Sequence, residues 1–477
     1  MIMKSYIPTF FFSLILGTAL VHGATVVINP GQSIQSAIDA SSAGDVIYVN
    51  DGIYTENITL DNKDIRIIGQ GANRPRIYNL IVQNYTNFDN IAHLSVTEST
   101  SQTFTIENVQ EANLNGIKIS SGNLILKNSK LSMQNSQFGR DVIANQSTLS
   151  LRTSSISGNL DANQSEIYLK DSNVTNSVNA WESTLRMVGS KVTQHVRVYD
   201  SQNHLGSPTN CVVLQSTIGE KLTTKAAKSF ICYNTIRYGY FEGKVDITGN
   251  TFDGRSKALV GIDLNASHTN AVIRNNLITL MSENVKSDLT EKGIGIRIDG
   301  GSKAQITNNI ITQCGDGSDH GTNSNCGIGV WVKQDTGTTI MGNFFKDIYD
   351  TSPDYRRTGG NVMVQAPSSV NLTYNNLWGS NKIAGGVINI GGIGSDPKMN
   401  SDYTLQPGSP NLDAGPPDAR FNDRDGSRND IGMFGGHNFI PNGKTTNKPI
   451  VLGLDLAPVF VPIGGITTIE STGATVK

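Results

Sequence analysis

The sequence predicts an all-β chain wound into a parallel β-helix, and two repeats and one column of side chains predict it. Four segments, LVGIDLNAS (259–267), GIGIRIDGG (293–301), GIGVWVKQD (327–335) and NVMVQAPSS (361–369), superpose at a step of 34 residues and align Asp263, Arg297, Trp331 and Gln365. Upstream, ANQSTLSLRTSSISGNLD (144–161), ANQSEIYLKDSNVTNSVN (162–179) and AWESTLRMVGSKVTQHVR (180–197) align without gaps at a step of 18. Fixed periods of this size mark stacked coils. Each long repeat also carries a second short run with Asn276, Asn309, Asn343 or Asn376 near its middle, and amides stacked at a bend can hydrogen-bond along the stack. A single coil cannot bury its Ile and Val, but coils about 4.8 Å apart close one core and pair each other's backbone groups.

Taken in order, residues 1–24 carry one Lys, an apolar run from Phe10 to Val21 and small residues at Gly23 and Ala24, the pattern of an export leader. Removal of that leader leaves no stretch able to cross a bilayer, so a secreted, periplasmic or cell-surface protein is expected. Net charge is −2 from 38 basic and 40 acidic residues, and no global field favours nucleic acid or an anionic membrane.

Residues 25–57 read as strand, short helix, strand, with Ser33 as N-cap of the amphipathic run Ile34 to Ala40. A polar-faced helix there would lid the open end of a solenoid. Coils of 18 residues run to about residue 200, with Leu149, Ile167 and Leu185 in one inward column and Leu151, Leu169 and Met187 in the next. They read as bare scaffold. From Asn210 the coils widen to about 34 residues as far as 407, and inserts appear at 280–292, 313–326 and 347–360, all at one point of the repeat and therefore on one edge. A terminal Asp/Gly-rich stretch (408–440) follows, and 441–477 reads as a small hairpin extension of two strands.

The first coil contains Gly44, Asp45, Ile47, Val49, Gly52 and Tyr54 in the order GD-x-I-x-V-x-x-G-x-Y. It resembles the start of pectin-lyase-type right-handed β-helix proteins, and the resemblance implies that architecture over most of the chain. The stretch GSPNLDAGPPDARFNDRDGSRNDIGMFGG (408–436) likewise resembles the end motif of secreted bacterial β-helix proteins, through Asp413, Asp423, Asp425, Gly426, Arg428, Asp430 and Gly432. Fold alone does not fix activity. The paired Asp motifs and Gly-His-Gly of the polygalacturonase-type hydrolases that share this fold are absent from the sequence.

Period-two alternation places Val260, Ile262, Leu264, Ile294, Ile296, Ile298, Ile328, Val330 and Val332 inside, and Asp263, Asn265, Arg297, Asp299, Trp331, Lys333 and Gln365 outside. An exposed Trp among such groups suits a sugar, whose C–H surface covers the ring while polar neighbours take the hydroxyls. The same residues could instead form cross-coil ion pairs, Asp263 with Arg297 and Asp299 with Lys333, with Trp331 covered by loops. Tyr355, Arg356 and Arg357, in the third insert, could add contacts to a uronate carboxylate.

Three functional readings stand: an extracellular polysaccharide binder using this face, a lyase cleaving uronate glycans by β-elimination, and a structural or adhesive protein. A lyase needs a base for the proton α to the carboxylate and a cation for the developing negative charge. Lys333, Arg297 and His320 are the candidates for the base, and Arg356 and Arg357 for the neutralising charge. Asp423, Asp425 and Asp430 form an oxygen-rich run that could take Ca²⁺ or simply make turns. Four cysteines in an exported protein suggest two disulfides, Cys211 with Cys232 and Cys314 with Cys326.

Overall fold

Short runs of alternating apolar and polar residues, broken every few positions by Asn, Gly or Ser, can form strands only if other coils pair their edges, and the chain folds accordingly. The computed structural model describes residues 23–72, 75–88, 91–92, 95–96, 103–200, 209–255, 257–281, 291–315, 325–335, 337–348, 360–365, 369–379, 383–457 and 468–474. Each coil contributes three parallel ladders. In one coil these are Lys130–Gln134 (face one), Gln137–Phe138 (face two) and Val142–Asn145 (face three). Face one pairs Leu149 with Ile167 and Ile167 with Leu185, the register that the gapless alignment of the short repeats requires. The inward columns fuse into one continuous apolar core.

The corner between faces one and two is fixed by a ladder of buried side chains. Ser136, Ser154, Ser172 and Ser190 each offer a hydroxyl to the backbone N–H one coil below, at 3.1–3.2 Å. At Ser216 the ladder changes to asparagine and continues through Asn234, Asn250, Asn276, Asn309, Asn343 and Asn375. The next position is Asn375 and not Asn376, whose amide turns away to Asn411 at 2.6 Å, and the Asn375 N–H passes the ladder on to Asn389 Oδ1 at 3.2 Å. The residue before each ladder position bends the chain in the left-handed region, as at Thr153 (φ 48), Asp171 (φ 49) and Asn308 (φ 53).

The helix Ile34–Ala40 covers the first coil, with Ser33 accepting from the Ser36 N–H at 3.0 Å and Ile34 and Ile38 buried. Glu56 adds acceptors for the Ile34 and Gln35 N–H groups, satisfying the donors that a helix start leaves open. No helix among the described residues is long and apolar enough to cross a membrane.

The C-terminal segment runs back along the ladder corner as a strap. Gly432 N–H donates to the Gly342 carbonyl, Asn308 binds Asn429 and the Asp430 carbonyl, Asn275 binds the Met433 and Gly435 carbonyls, and Gln215 binds those of Gly443 and Thr446. It seals two outer apolar clusters, Ile310 with Phe344 and Ile431, and Val212 with Phe230, Tyr233 and Ile450. It ends in the antiparallel hairpin Ile450–Ala457 with Thr468–Ala474.

Two features differ from the expected disulfide pattern. Cys211 and Cys232 are free and buried. Cys211 pairs with Ser229 and Cys232 with Leu214, so the cysteines sit three positions apart along adjacent strands. Their side chains accordingly lie on opposite sides of the sheet, Cys211 in the core and Cys232 in the outer cluster under the strap. Cys314 is also free, its thiol in the interior near Gly295, so no bridge to Cys326 forms.

Candidate functional site on the third face

Face three presents its outward residues in straight columns, because each coil pairs in register with the next. One column runs Asp161, Asn179, Arg197, Thr223, Tyr240, Asp263, Arg297, Trp331 and Met363. Beside it run Asn163, Trp181, Tyr199 and Lys225. The described residues that flank the three expected inserts end strands of face two, at Thr279, Cys314 and Ile348, and begin strands of face three, at Glu291, Asn325 and Gly360.

Within the wide coils, the wall pairs with itself. Arg297 donates two bonds to Asp263, Nε to Oδ1 at 2.9 Å and Nη2 to Oδ2 at 2.6 Å. Lys333 Nζ lies 3.2 Å from Asp299 and 4.9 Å from the centroid of Trp331. Trp331 is 1% exposed, so it is no open sugar platform. It packs with Ile294 and Ile328 in a cluster outside the core, with Val260 and Met363 against it.

Those three aliphatic residues were expected to point inward, and glycine is the reason they do not. A Cβ on Gly295 would meet the Gly329 carbonyl at 2.5 Å and Ile311 at 2.7 Å, and Gly261 and Gly329 are similarly pressed against the chain. Glycine thus takes an inward position next to inward Ile296. The alternation slips by one and turns Ile294 out. Gln365 also leaves its expected column: Trp331 pairs with Met363, and the Gln365 N–H donates to the Val332 carbonyl. The last step is therefore 32 residues, not 34.

The described residues with the most perturbed chemistry on this face lie farther down the stack. Between Ile218 and Lys221 the strand Thr217–Lys225 carries one residue more than its partner, Thr235–Phe241, a bulge that re-aims the side chains beside it. Half-buried Lys221 projects there, its Nζ 5.2 Å from the Tyr240 ring centroid and 5.8 Å from that of Tyr238. Burial pushes its ammonium below the usual lysine range; Arg197, Arg297 and Lys225 push the same way and Asp263 opposes them. No ion pair to Lys221 exists among the described residues.

The surrounding groups are tuned by the same crowding. The Lys221 N–H reaches His195 Nδ1 at 3.4 Å. Burial, with Arg197 and Lys221, holds the His195 imidazole below its ordinary value against the opposing charge of Glu220. Tyr240 donates to Glu242 at 2.5 Å, and burial together with that carboxylate keeps its hydroxyl protonated far into alkali. Burial and Glu220 raise Tyr238. Glu242 is also paired with Lys225 at 2.9 Å, and Glu220 with Arg237. Several shifted groups on one open face mark a functional-site candidate.

Sequence reasoning did not find this site, because the bulge interrupts the period there. A second feature was missed for a different reason. Trp181 occupies the position held by Asn145 and Asn163 in the preceding coils; it is 51% exposed and stacks on Tyr199 at 4.4 Å between centroids, 21° between planes. That substitution of Trp for Asn was the available signal.

His320, Tyr355, Arg356 and Arg357 lie outside the described residues, as does the expected export leader apart from Gly23 and Ala24. Asn265, an expected sugar contact, is exposed beside Asp299. Among the described residues no group of three or more His, Cys, Asp or Glu side chains is placed to hold a metal ion, and Asp423, Asp425 and Asp430 each bond to the backbone or side chains of the strap. Asp423 accepts from the Asp430 and Gly436 N–H groups, Asp430 accepts from the Asp413 N–H at 2.8 Å, and Asp425 closes its own turn onto Ser427. Arg428 holds the Gly415 carbonyl at 2.8 Å. The terminal motif therefore folds the strap onto the stack.

The chain matches no family model and no curated protein. Among solved structures it is similar to a variant of the PL6 family alginate lyase AlyGC, with 14% identity over 81% of this chain and 56% of that one, at a TM-score of 0.38. It is similar also to the PL6 family polysaccharide lyase Pedsa3628 from Pseudopedobacter saltans, with 12% identity over 79% of this chain and 94% of that one, at a TM-score of 0.30. A third is the catalytic unit of a GH87 alpha-1,3-glucanase from Streptomyces thermodiastaticus, with 14% identity over 81% of this chain and 72% of that one, at a TM-score of 0.22. The chain thus spans little more than half the length of AlyGC.

Proposed function

We propose that the protein acts outside the cytoplasm, where it binds an anionic, uronate-containing polysaccharide along face three, with Lys221 at the centre of the site. The observation that carries this reading is the Lys221 ammonium: half-buried, set between two tyrosine rings, and in no ion pair among the described residues. A cation so placed gains from a carboxylate that brings its own charge, and a charge-assisted hydrogen bond there is about twice as strong as a neutral one. Arg197 stands in the adjoining column, and Asn179 and Asp161 follow it as partners for hydroxyls. Tyr240 and Tyr238 supply ring surface for the sugar.

One observation favours β-elimination as a second reading. Because the Lys221 ammonium is held below the usual lysine range, more of the neutral amine is present near neutral pH than for an exposed lysine, and only the neutral amine can take the proton α to a uronate carboxylate. Arg197 and Arg297 would then face the charge that develops on the carboxylate.

The test is a panel of uronate polysaccharides, read for binding by calorimetry and for product by the ultraviolet absorbance of unsaturated uronates. Binding is expected, and Lys221→Ala should weaken it at least 10-fold, since a hydrogen bond to a charged group contributes about 1.5–3 kcal/mol. Steady product formation that survives in Lys333→Ala but is lost in Lys221→Arg, which keeps the charge and loses the titratable base, would establish the lyase reading. Failure of every uronate polysaccharide to bind would overturn the proposal.

A further inference from the structure

We infer that the glycan lies along the solenoid axis and that Trp181 and Tyr199 form a remote stacking subsite for it. The inference rests on the binding reading given above and adds chain direction and length to it. Trp181, Tyr199 and Lys225 occupy consecutive positions of one column, and Lys225 Nζ lies 5.5 Å from the centroid of Tyr240, the ring that also faces Lys221. With strands about 4.8 Å apart, the indole stands about 10 Å along the axis from the row of Lys225. A chain that reaches Lys221 and follows the axis meets the indole with a later sugar.

The indole itself has the form of a platform. It is 51% exposed, and its stack on Tyr199 fixes the ring plane without covering it from solvent. Alongside runs a polar chain, Arg197 Nη1 to Asn179 Oδ1 at 2.9 Å and Asn179 Nδ2 to Asp161 Oδ1 at 2.7 Å, which would meet hydroxyls at the edges of a stacked sugar. An exposed aromatic flanked in this way is a stacking surface for a sugar ring's C–H face. A scaffold position gains nothing from it, and the two preceding coils keep Asn there.

The experiment uses the full chain and 4-linked polyuronate oligomers of defined length, from dimer to hexamer. Trp181→Ala is expected to weaken hexamer binding about 10-fold while leaving the dimer unchanged, and Trp181→Phe should restore most of the loss. Oligomer binding should also protect the exposed indole from acrylamide quenching in the wild type, and only with the longer chains. If Lys221→Ala abolishes binding while Trp181→Ala binds every length like the wild type, this inference falls and the binding reading stands. If no oligomer binds the wild type, both fall.

Discussion

Replacing Asn309 by alanine should cost far more than the loss of one hydrogen bond, because its side chain serves three coils at once. Asn309 is fully buried. Its Oδ1 accepts from the Asn276 backbone N–H at 3.0 Å and from Asn276 Nδ2 at 2.9 Å, and its Nδ2 donates to the Ile273 carbonyl at 2.9 Å and to Asn343 Oδ1 at 2.9 Å. In Asn309→Ala, Asn343 Oδ1 keeps the residue 309 N–H, but two donors of Asn276 lose their acceptor. At about 1–3 kcal/mol per orphaned buried group, the change costs about 4 kcal/mol, a large share of the roughly 5–15 kcal/mol that holds a folded domain together. Ser172→Ala strips an acceptor from one N–H, that of Ser154, and should cost about 1–2 kcal/mol. Urea titration gives the overall loss. Since coils of a solenoid can open locally, hydrogen exchange of the Asn276 amide gives the local one, with protection falling by roughly three powers of ten at 1.4 kcal/mol each. Equal costs for the two variants, or an Asn276 amide that stays as protected as in the wild type, would refute the claim that the ladder sets the stability of this corner.

Other outcomes follow from the corrected geometry. Trp331→Ala should destabilise by about 3–5 kcal/mol, measured by thermal or urea unfolding, and leave oligomer affinity at Lys221 unchanged in whatever fraction stays folded, because the indole is buried and not a binding platform. The thiols of Cys211, Cys232 and Cys314 should resist alkylation until denaturant is added, burial having pushed Cys211 up to about 12, and a reductant should leave the unfolding midpoint in place; peptide mapping after labelling checks both. Asp430→Asn should stabilise the strap at neutral pH. Burial, reinforced by Asp423, Asp413 and Asp425, raises the Asp430 carboxyl to about 6 in the folded chain, so folding takes up a proton between the ordinary carboxylate value and about 6. Its contribution is full below the ordinary value and is lost as pH rises through about 6. The displacement corresponds to at most about 3 kcal/mol, and solvent screening of this partly exposed group cuts that to about 1. Unfolding of wild type and Asp430→Asn should therefore diverge at pH ~7 and converge at pH ~4.

The architecture was legible in the sequence because a stacked coil is a local rule applied many times. Leu149, Ile167 and Leu185 repeat at a fixed step since identical coils bury identical positions, and Ser33 before Ile34 marks a helix start through bonds that span only three residues. The cross-coil pairing of Asp263 with Arg297 was also readable, as one of two uses for a charged column. What the period could not carry was any departure from it. The extra residue between Ile218 and Lys221 re-aims one lysine, and the glycines at 261, 295 and 329 move Val260, Ile294 and Ile328 to the far side of their sheet. Both depend on packing against coils above and below. Whether Trp331 is covered while Trp181 is open, and which residues the strap from 408 to 446 meets on coils more than a hundred positions earlier, are likewise decided by tertiary contacts. The sequence by itself determined the coil and its core; the three-dimensional stack alone decided which side chains were left facing water with unmet chemistry, since exposure belongs to the assembled surface and not to any one repeat.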